Sequence, residues 1–439
     1  MSKRVLIISY YWPPTSGSGV QRWLKMSKYL PQYGWQPVIY TPENPEADVT
    51  DQSLIQDIGP EVEVVKRRII EPYAVFNAVT GKKKGTGAIN PISVSEHKSL
   101  MMRLSLWVRA NIFIPDPRCL WIRPSVRFLK KYLREHPVDA IISTGPPHSM
   151  HLIAKGVHRA TGIPWIADFR DPWTGIVFFK HLPLSRRSLR RHRRLEQSVL
   201  KEADKVVSVS ELSVQDILSV LSPDYPYKNK FHVIENGYDE ADFADITPAD
   251  LPGRFNIVHT GLFFSNRNPQ ILWKVLAELR RELPGFAGDL HLIFAGKTDA
   301  EVIASVKDAG LGDCLTDLGY RPHHETNSLQ KGADILLLPL HKEPEAAGAL
   351  TGKYFEYLAA GRPIVAFGQH DSSLEQSLAQ TRTGRLFDWD EEAPLKEYLT
   401  ALYTGTTAFD PDPDAISAYT RRSLAGRFAA LLDTMQEGK

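Results

Sequence analysis

The chain reads as an α/β protein of two doubly wound Rossmann-like domains facing each other across a central cleft. Three observations predict this. Short unbroken apolar runs recur, each followed by a helical or loop segment, as parallel strands covered on both faces require. That rhythm pauses once, at a segment rich in Asp, Ala and Pro, and then restarts. The 439 residues are also too many for one ordinary core and suit two domains of roughly 200 residues each.

The first series of strands is read at Val5–Ser9, Pro37–Thr41, Val62–Val65, Ala140–Thr144, Trp165–Asp168, Val206–Ser210 and Val233–Glu235. The second is read at Asn256–Thr260, Leu290–Ala295, Leu315–Leu318, Ile335–Leu340 and Ile364–Phe367. The pause, Asn236–Gly253, is taken as the linker, which divides the chain into an N-terminal domain 1–235 and a C-terminal domain 254–414. A last helix, roughly Ala415–Met435 within a segment 415–439, follows the stop signal Asp410-Pro411-Asp412-Pro413.

With 43% hydrophobic and 24% charged residues the composition is that of a water-exposed globular protein. A formal charge of only +2 gives no global reason to expect nucleic acid. Cys119 and Cys314 fall in different halves, with neither metal-ligand spacing nor a disulfide framework, so a reducing cytoplasm is expected. The apolar run Val5–Tyr11 is too short to span a bilayer and meets Trp12-Pro13-Pro14 at once, so it reads as a first strand.

The most informative stretch follows Ile335–Leu340. A small-residue loop, Ala346-Ala347-Gly348-Ala349, leads through Leu350 and Thr351 into a short helix that stops at Gly361 and Pro363. A helix start at the carboxyl end of a parallel strand suits a phosphate. Glu356, about one turn further in, is placed to accept hydrogen bonds from a vicinal diol. Phosphate plus diol means a nucleotide. The competing reading is a plain βα unit in which Lys353 and Glu356, three apart, form a solvated pair.

Other loops sit at strand ends. Gly17 and Gly19 lie between the first strand and a helix starting near Val20, where glycines let backbone approach a ligand. Two glycines without a third, and a second strand that ends Tyr40-Thr41-Pro42 with no acidic residue usefully placed at that end, argue against a hydride-transfer site. His148 sits in Ser143-Thr144-Gly145-Pro146-Pro147-His148-Ser149. Asp168-Phe169-Arg170-Asp171 follows the next strand; its two aspartates lack the further ligands that a metal site needs, so none is expected. Arg267 belongs to the loop Gly261–Pro269. Asn236-Gly237 reads as a hinge turn. Two basic segments stand out, Thr80–Pro91 with Lys82, Lys83 and Lys84, and Arg186–Arg194 with six arginines opening an amphipathic helix. Each suits either solvent or an anionic membrane surface, and the first also suits a pyrophosphate-bearing acceptor.

The segment Thr351–Ala366 resembles the nucleotide-sugar site of the retaining glycosyltransferases of family 4, which have the GT-B fold, and similarity in motif order extends along nearly the whole chain. Many members have two glutamates separated by seven residues. Here the second matches Glu356 and the first position is Gly348, so Glu343 or Glu345 is a substitute from the same loop. The resemblance implies a transferase that takes a sugar from a nucleoside-diphosphate donor to a glycan or lipid-linked acceptor, with no cofactor and no metal. It implies His148, Arg267 and Lys353 as catalytic residues. It implies Gly17, Gly19, Gly261, Gly348, Ala349, Leu350, Thr351 and Glu356 on the donor, with Arg170 and Asp171 on the acceptor side. Family members usually place a first cation right after the glycine of the Gly261 loop; here Leu262 stands there. The last helix is expected to return to the first domain. Two alternatives remain open, a nucleotide-sugar epimerase of the same fold and a non-catalytic nucleotide-sugar-binding subunit.

Overall fold

The structure is a computed structural model that describes residues 2–46, 50–71, 100–176, 179 and 182–436. The basic loop Thr80–Pro91 lies outside the described residues. The chain forms two compact units, Met1–Glu235 with Arg421–Lys439, and Asn236–Thr420.

The first unit holds seven parallel strands: β1 Lys3–Ile8, β2 Trp35–Pro42, β3 Glu63–Arg67, β4 Ala140–Gly145, β5 Trp165–Phe169, β6 Lys205–Ser208 and β7 Phe231–Val233. Their order is β3-β2-β1-β4-β5-β6-β7. Side chains alternate across a strand, so β1 feeds two cores. Leu6 and Ile8 pack with Trp121, Leu129 and Phe169 on one face, while Val5 and Ile7 pack with Trp23, Phe428 and Leu432 on the other. The helix Arg421–Thr434 supplies much of that second core, its Phe428 ring lying 4.9 Å from Trp23.

The second unit has six parallel strands: β8 Phe255–Thr260, β9 Leu290–Ala295, β10 Leu315–Gly319, β11 Ile335–Pro339, β12 Ile364–Phe367 and β13 Gly384–Phe387. Their order is β10-β9-β8-β11-β12-β13. Ile257 and Leu337 face a core containing Trp273 and Leu276; Val258 and Leu336 face another containing Tyr354, Phe355 and Leu358.

Each sheet therefore reverses its winding once, between β1 and β4 and between β8 and β11. In open α/β sheets the crevice beyond the carboxyl ends at such a reversal is where ligands bind. The sequence candidates fall there. Gly17 and Gly19 follow β1, His148 follows β4, Gly261 follows β8, and Gly348–Thr351 follow β11.

Three local expectations need correction. The segment Asn236–Gly253 is packed onto the second unit: Lys331 donates to the carbonyls of Phe243 and Ile246 at 3.1 and 2.9 Å, and Phe243 is buried. Its polar composition hid those backbone acceptors. The last helix is two helices, Pro413–Ser417 and Arg421–Thr434. Between them Thr420 bridges Tyr238 and its hydroxyl donates to the Ser417 carbonyl at 2.9 Å, ending the first helix. The edge strand β13 escaped notice because Gly384-Arg385-Leu386-Phe387 has only two apolar residues in a row.

Candidate functional site

In the second unit β8 ends at Thr260 and Gly261 turns at φ 108°, a backbone conformation that favours glycine. Its N–H donates to the Ala295 carbonyl at 2.7 Å, and a Cβ on Gly296 would lie 1.9 Å from the Gly261 oxygen. Only two glycines let these strand ends touch. The same opening admits Lys353: a Cβ on Gly261 would sit 3.1 Å from its Cε. Lys353 belongs to the first turn of the helix Gly352–Ala360, whose amphipathic run ends at Gly361 in a left-handed C-cap.

Lys353 Nζ donates to Glu356 Oε2 at 2.5 Å. Gln330 Nε2 reaches the same oxygen at 3.2 Å and Thr260 Oγ1 at 2.8 Å. Burial pushes the Glu356 carboxyl up, but Lys353 and Gln330 overcome it and hold the group below the usual glutamate range. The i,i+3 pair weighed in the sequence is therefore formed, and it is partly buried, with the two side chains 30% and 24% exposed. Glu356 is ionised and pinned, with its side chain still 24% exposed.

The start of this helix is open. Thr351 is the N-cap residue, yet its side chain makes no cap bond and its Oγ1 is buried without a partner. A helix start leaves N–H groups unsatisfied and favours an anion. Leu350 is buried beneath it, Gly348 is buried, and the Ala349 N–H is taken by the Ala346 carbonyl at 2.9 Å.

Arg267 closes a short 3₁₀ turn, Ser265–Arg267, and lies 5.4 Å from the Phe264 ring centre. Among the described residues it has no ion pair, and its Nε is buried without a partner. Burial holds its guanidinium below the ordinary value, with Glu343 acting against that. Leu262, where the family has a cation, is 52% exposed. Glu343 lies 3.8 Å from His341 Nδ1 and its Oε2 is buried without a hydrogen bond. Glu345 lies in the turn Pro344–Ala346. His259, near both Lys353 and Arg267, is pushed down to about 4 by burial first and by those cations second. It is neutral at physiological pH, so the cations face no third positive charge there.

In the first unit Gly17 (φ 113°) precedes the helix Ser18–Tyr29, which lacks a side-chain cap. A Cβ on Gly19 would meet Tyr11 Cδ2 at 2.9 Å and Arg170 Nη1 at 3.2 Å. Arg170 donates through Nη2 to the Pro146 carbonyl and through its backbone N–H to Gly145 at 3.0 Å. Burial lowers its pKa against the pull of Asp171 and Asp168, and burial raises Asp171 against Arg170.

His148 caps the helix Ser149–Thr161 by position and is 8% exposed. Its ring stacks on Trp173 with centres 4.6 Å apart and planes 1° apart. Burial, then the neighbouring His151, Arg170 and His192, hold it well below the ordinary histidine value, so it is a neutral imidazole. Its Nδ1 is buried without a partner. Such a ring can bond a hydroxyl.

Asp168 serves differently from the pairing with Asp171 considered in the sequence. Arg22 grips it bidentately at 3.1 and 2.8 Å, Trp23 Nε1 at 2.8 Å and Thr144 Oγ1 at 2.9 Å. Burial raises its pKa, but Arg22 and Trp23 win and keep it below the ordinary aspartate value. Asp168 thus pairs with Arg22, and Arg170 is left for the loop. Removing one partner from such a buried pair typically costs about 3–5 kcal/mol, which marks it as architecture. Among the described residues no group of three His, Cys, Asp or Glu side chains could hold a metal ion.

Sequence reasoning missed Gln330, Gly296 and Trp173. Gly296 had a signal, a glycine directly after a strand like Gly261. Gln330 had none, being one polar residue in a polar helix, His323–Gly332. A surface groove of about 450 Å³ between the helices Gln270–Glu282 and Ala300–Asp308 contains none of the site residues.

Comparison with known proteins bears on the family and the fold. Residues 93–242 match Glycosyltransferase Family 4 and residues 254–404 match Glycosyl transferases group 1. No curated protein matches the sequence. Among solved structures the chain is similar to sucrose-phosphate synthase from Thermosynechococcus elongatus, at 15% identity, TM-score 0.61 and full coverage of both chains. It is similar to the lipopolysaccharide outer core galactosyltransferase WaaB, at 11% identity and TM-score 0.59, covering 98% of this chain and 99% of that one. It is also similar to α,α-trehalose 6-phosphate synthase from Burkholderia multivorans, at 11% identity, TM-score 0.59 and full coverage of both. At these identities the structures speak for the fold alone. The family matches, which together span more than half the residues, and the two reversing parallel sheets place this chain among the glycosyltransferases of family 4 and group 1, with the GT-B fold.

Proposed function

We propose that this glycosyltransferase is a retaining, metal-independent enzyme that moves a hexosyl group from a nucleoside-diphosphate sugar to a glycan or lipid-linked acceptor, in surface polysaccharide biosynthesis. The observation that carries the reading is the anion-ready end of β8 and β11: an open helix start, Lys353 over Gly261, and, among the described residues, a Thr351 hydroxyl without a partner and Arg267 without an ion pair.

A departing diphosphate gains charge in the transition state, and fixed donors aimed at that charge lower the barrier. Arg267, Lys353 and the helix start supply them without a divalent ion. Glu356 takes the ribose diol, and neutral His148 takes a hydroxyl of the donor sugar. Gly17 and Gly19 let backbone approach the ligand, with Arg170 and Asp171 on the acceptor side. No cofactor is required.

The enzyme works in the cytoplasm against an anionic membrane. Among the described residues no helix is long and apolar enough to cross a bilayer. The attachment is instead through Arg186, Arg187, Arg190, Arg191, Arg193 and Arg194, all exposed and none in an ion pair among the described residues. A thermal-shift screen of nucleotide sugars, followed by turnover of the best donor with a lipid-linked acceptor, tests the reading. A stabilising donor that yields nucleoside diphosphate only with acceptor supports transfer. An epimerised donor would replace it with the epimerase reading, and binding without turnover with the binding-subunit reading.

A further inference from the structure

We infer that Trp173, His192 and Glu196 are positioning residues that fix the plane of the His148 imidazole. This rests on His148 meeting the donor sugar, as proposed above. His148 has no hydrogen bond at its buried Nδ1, so its orientation is set by the parallel face of Trp173, 4.6 Å away. Trp173 is itself held edge-on: its Nε1 donates to His192 Nδ1 at 3.1 Å. A nitrogen that accepts carries no proton, so His192 is neutral and carries its proton on Nε2. Burial keeps His192 neutral, down to about 4.

The next residue of the loop is held separately. Thr174 Oγ1 donates to Glu196 Oε2 at 2.5 Å, and the Thr174 N–H lies 3.3 Å from both carboxyl oxygens. His192 and Glu196 stand four apart on the helix Arg186–Glu202, hence on one face, and both are buried. One turn of a helix therefore clamps two consecutive loop residues, one through an indole edge and the other through a hydroxyl and an amide. A polar residue buried at each of two positions one turn apart, in a helix whose outer face is arginine, costs more than an apolar pair unless it fixes something. What it fixes is the wall on which His148 lies.

The test uses the full chain with its best nucleotide-sugar donor and acceptor. Trp173→Phe keeps an aromatic wall, though a smaller one, and loses the N–H. Glu196→Leu keeps volume and loses the acceptor, and Glu196→Gln keeps an acceptor. Misplacing a sugar contact by an ångström costs about a hundredfold at most, so Trp173→Phe and Glu196→Leu should lower kcat about ten- to a hundredfold, leaving donor KM within about threefold. Glu196→Gln should recover most of the loss. In a His148→Ala background neither substitution should lower kcat further, because the residue they orient is gone. Full additivity in that background, or an unchanged kcat in Trp173→Phe, would overturn the inference. Should Glu196→Leu fail to fold by circular dichroism, Trp173→Phe decides alone. An unaltered kcat in His148→Ala itself would instead remove the sugar-contact role and the inference with it.

Discussion

Replacing Glu356 by alanine perturbs the nucleotide end of the site in a way the structure lets one work through. Its carboxylate is ionised and held on one oxygen by Lys353 and Gln330. Those two bonds exist with or without ligand and largely cancel. The bonds to a ribose diol exist only in the complex, and hydrogen bonds to a charged group are worth about 1.5–3 kcal/mol. Deletion also frees Lys353, and a partly exposed cation turned toward a diphosphate returns about 0.5 kcal/mol. The net loss is about 1–2.5 kcal/mol, or about five- to seventyfold in Kd for a nucleoside diphosphate. In a Lys353→Met background the offset vanishes and the loss should approach the full value. Titration calorimetry with the nucleoside diphosphate and with inorganic pyrophosphate reads both effects. An unchanged Kd in folded Glu356→Ala refutes the diol assignment. An equal loss for pyrophosphate would mean that the carboxylate acts only through Lys353.

Arg267→Ala should lower kcat about a hundredfold to a thousandfold with donor KM changed far less, since a leaving-group donor matters most in the transition state; steady-state kinetics with Arg267→Lys, which keeps charge without the planar fork, should show partial recovery. Burial raises Glu196 from its ordinary 4.5 to about 7, so the folded state prefers it protonated. The stability this gives is fully present below pH 4.5 and is lost as pH rises through 7, by about 3 kcal/mol at most. Glu196→Gln should therefore flatten the fall in melting temperature between pH 5 and pH 8; an identical fall would show that the carboxyl titrates normally. Binding to anionic vesicles should weaken as salt rises, because attraction is screened within about 10 Å at 0.1 M, and Arg190→Glu with Arg194→Glu should abolish it. Equal sedimentation with neutral vesicles would refute the cationic attachment.

Most of the fold was legible because parallel strands buried on both faces leave unbroken apolar runs, and β1, β4, β8, β9 and β11 fell within a residue or two of their readings. Edge strands were the weak point. β7 and β13 are covered on fewer sides, so their sequences are mixed; β7 was shifted and β13 missed. In the candidate site, residues that sit at a strand's carboxyl end beside glycine could be placed from the sequence, because chain geometry alone puts them there. Those placed by tertiary packing were not. Arg22 sits in an ordinary helix, and nothing local says that its guanidinium closes on Asp168. Gln330 and Trp173 are likewise defined by what another element brings to them.

The most direct test of the central claim is the fate of the donor's anomeric centre. The purified protein, its best nucleotide-sugar donor and a lipid-linked acceptor are incubated with excess chelator, and the product is followed by proton NMR of the anomeric signal. The account predicts transfer at undiminished rate, with the anomeric configuration of the donor kept in the product. An inverted anomer, a rate restored only by added magnesium or manganese, or conversion of the donor sugar without transfer would contradict it.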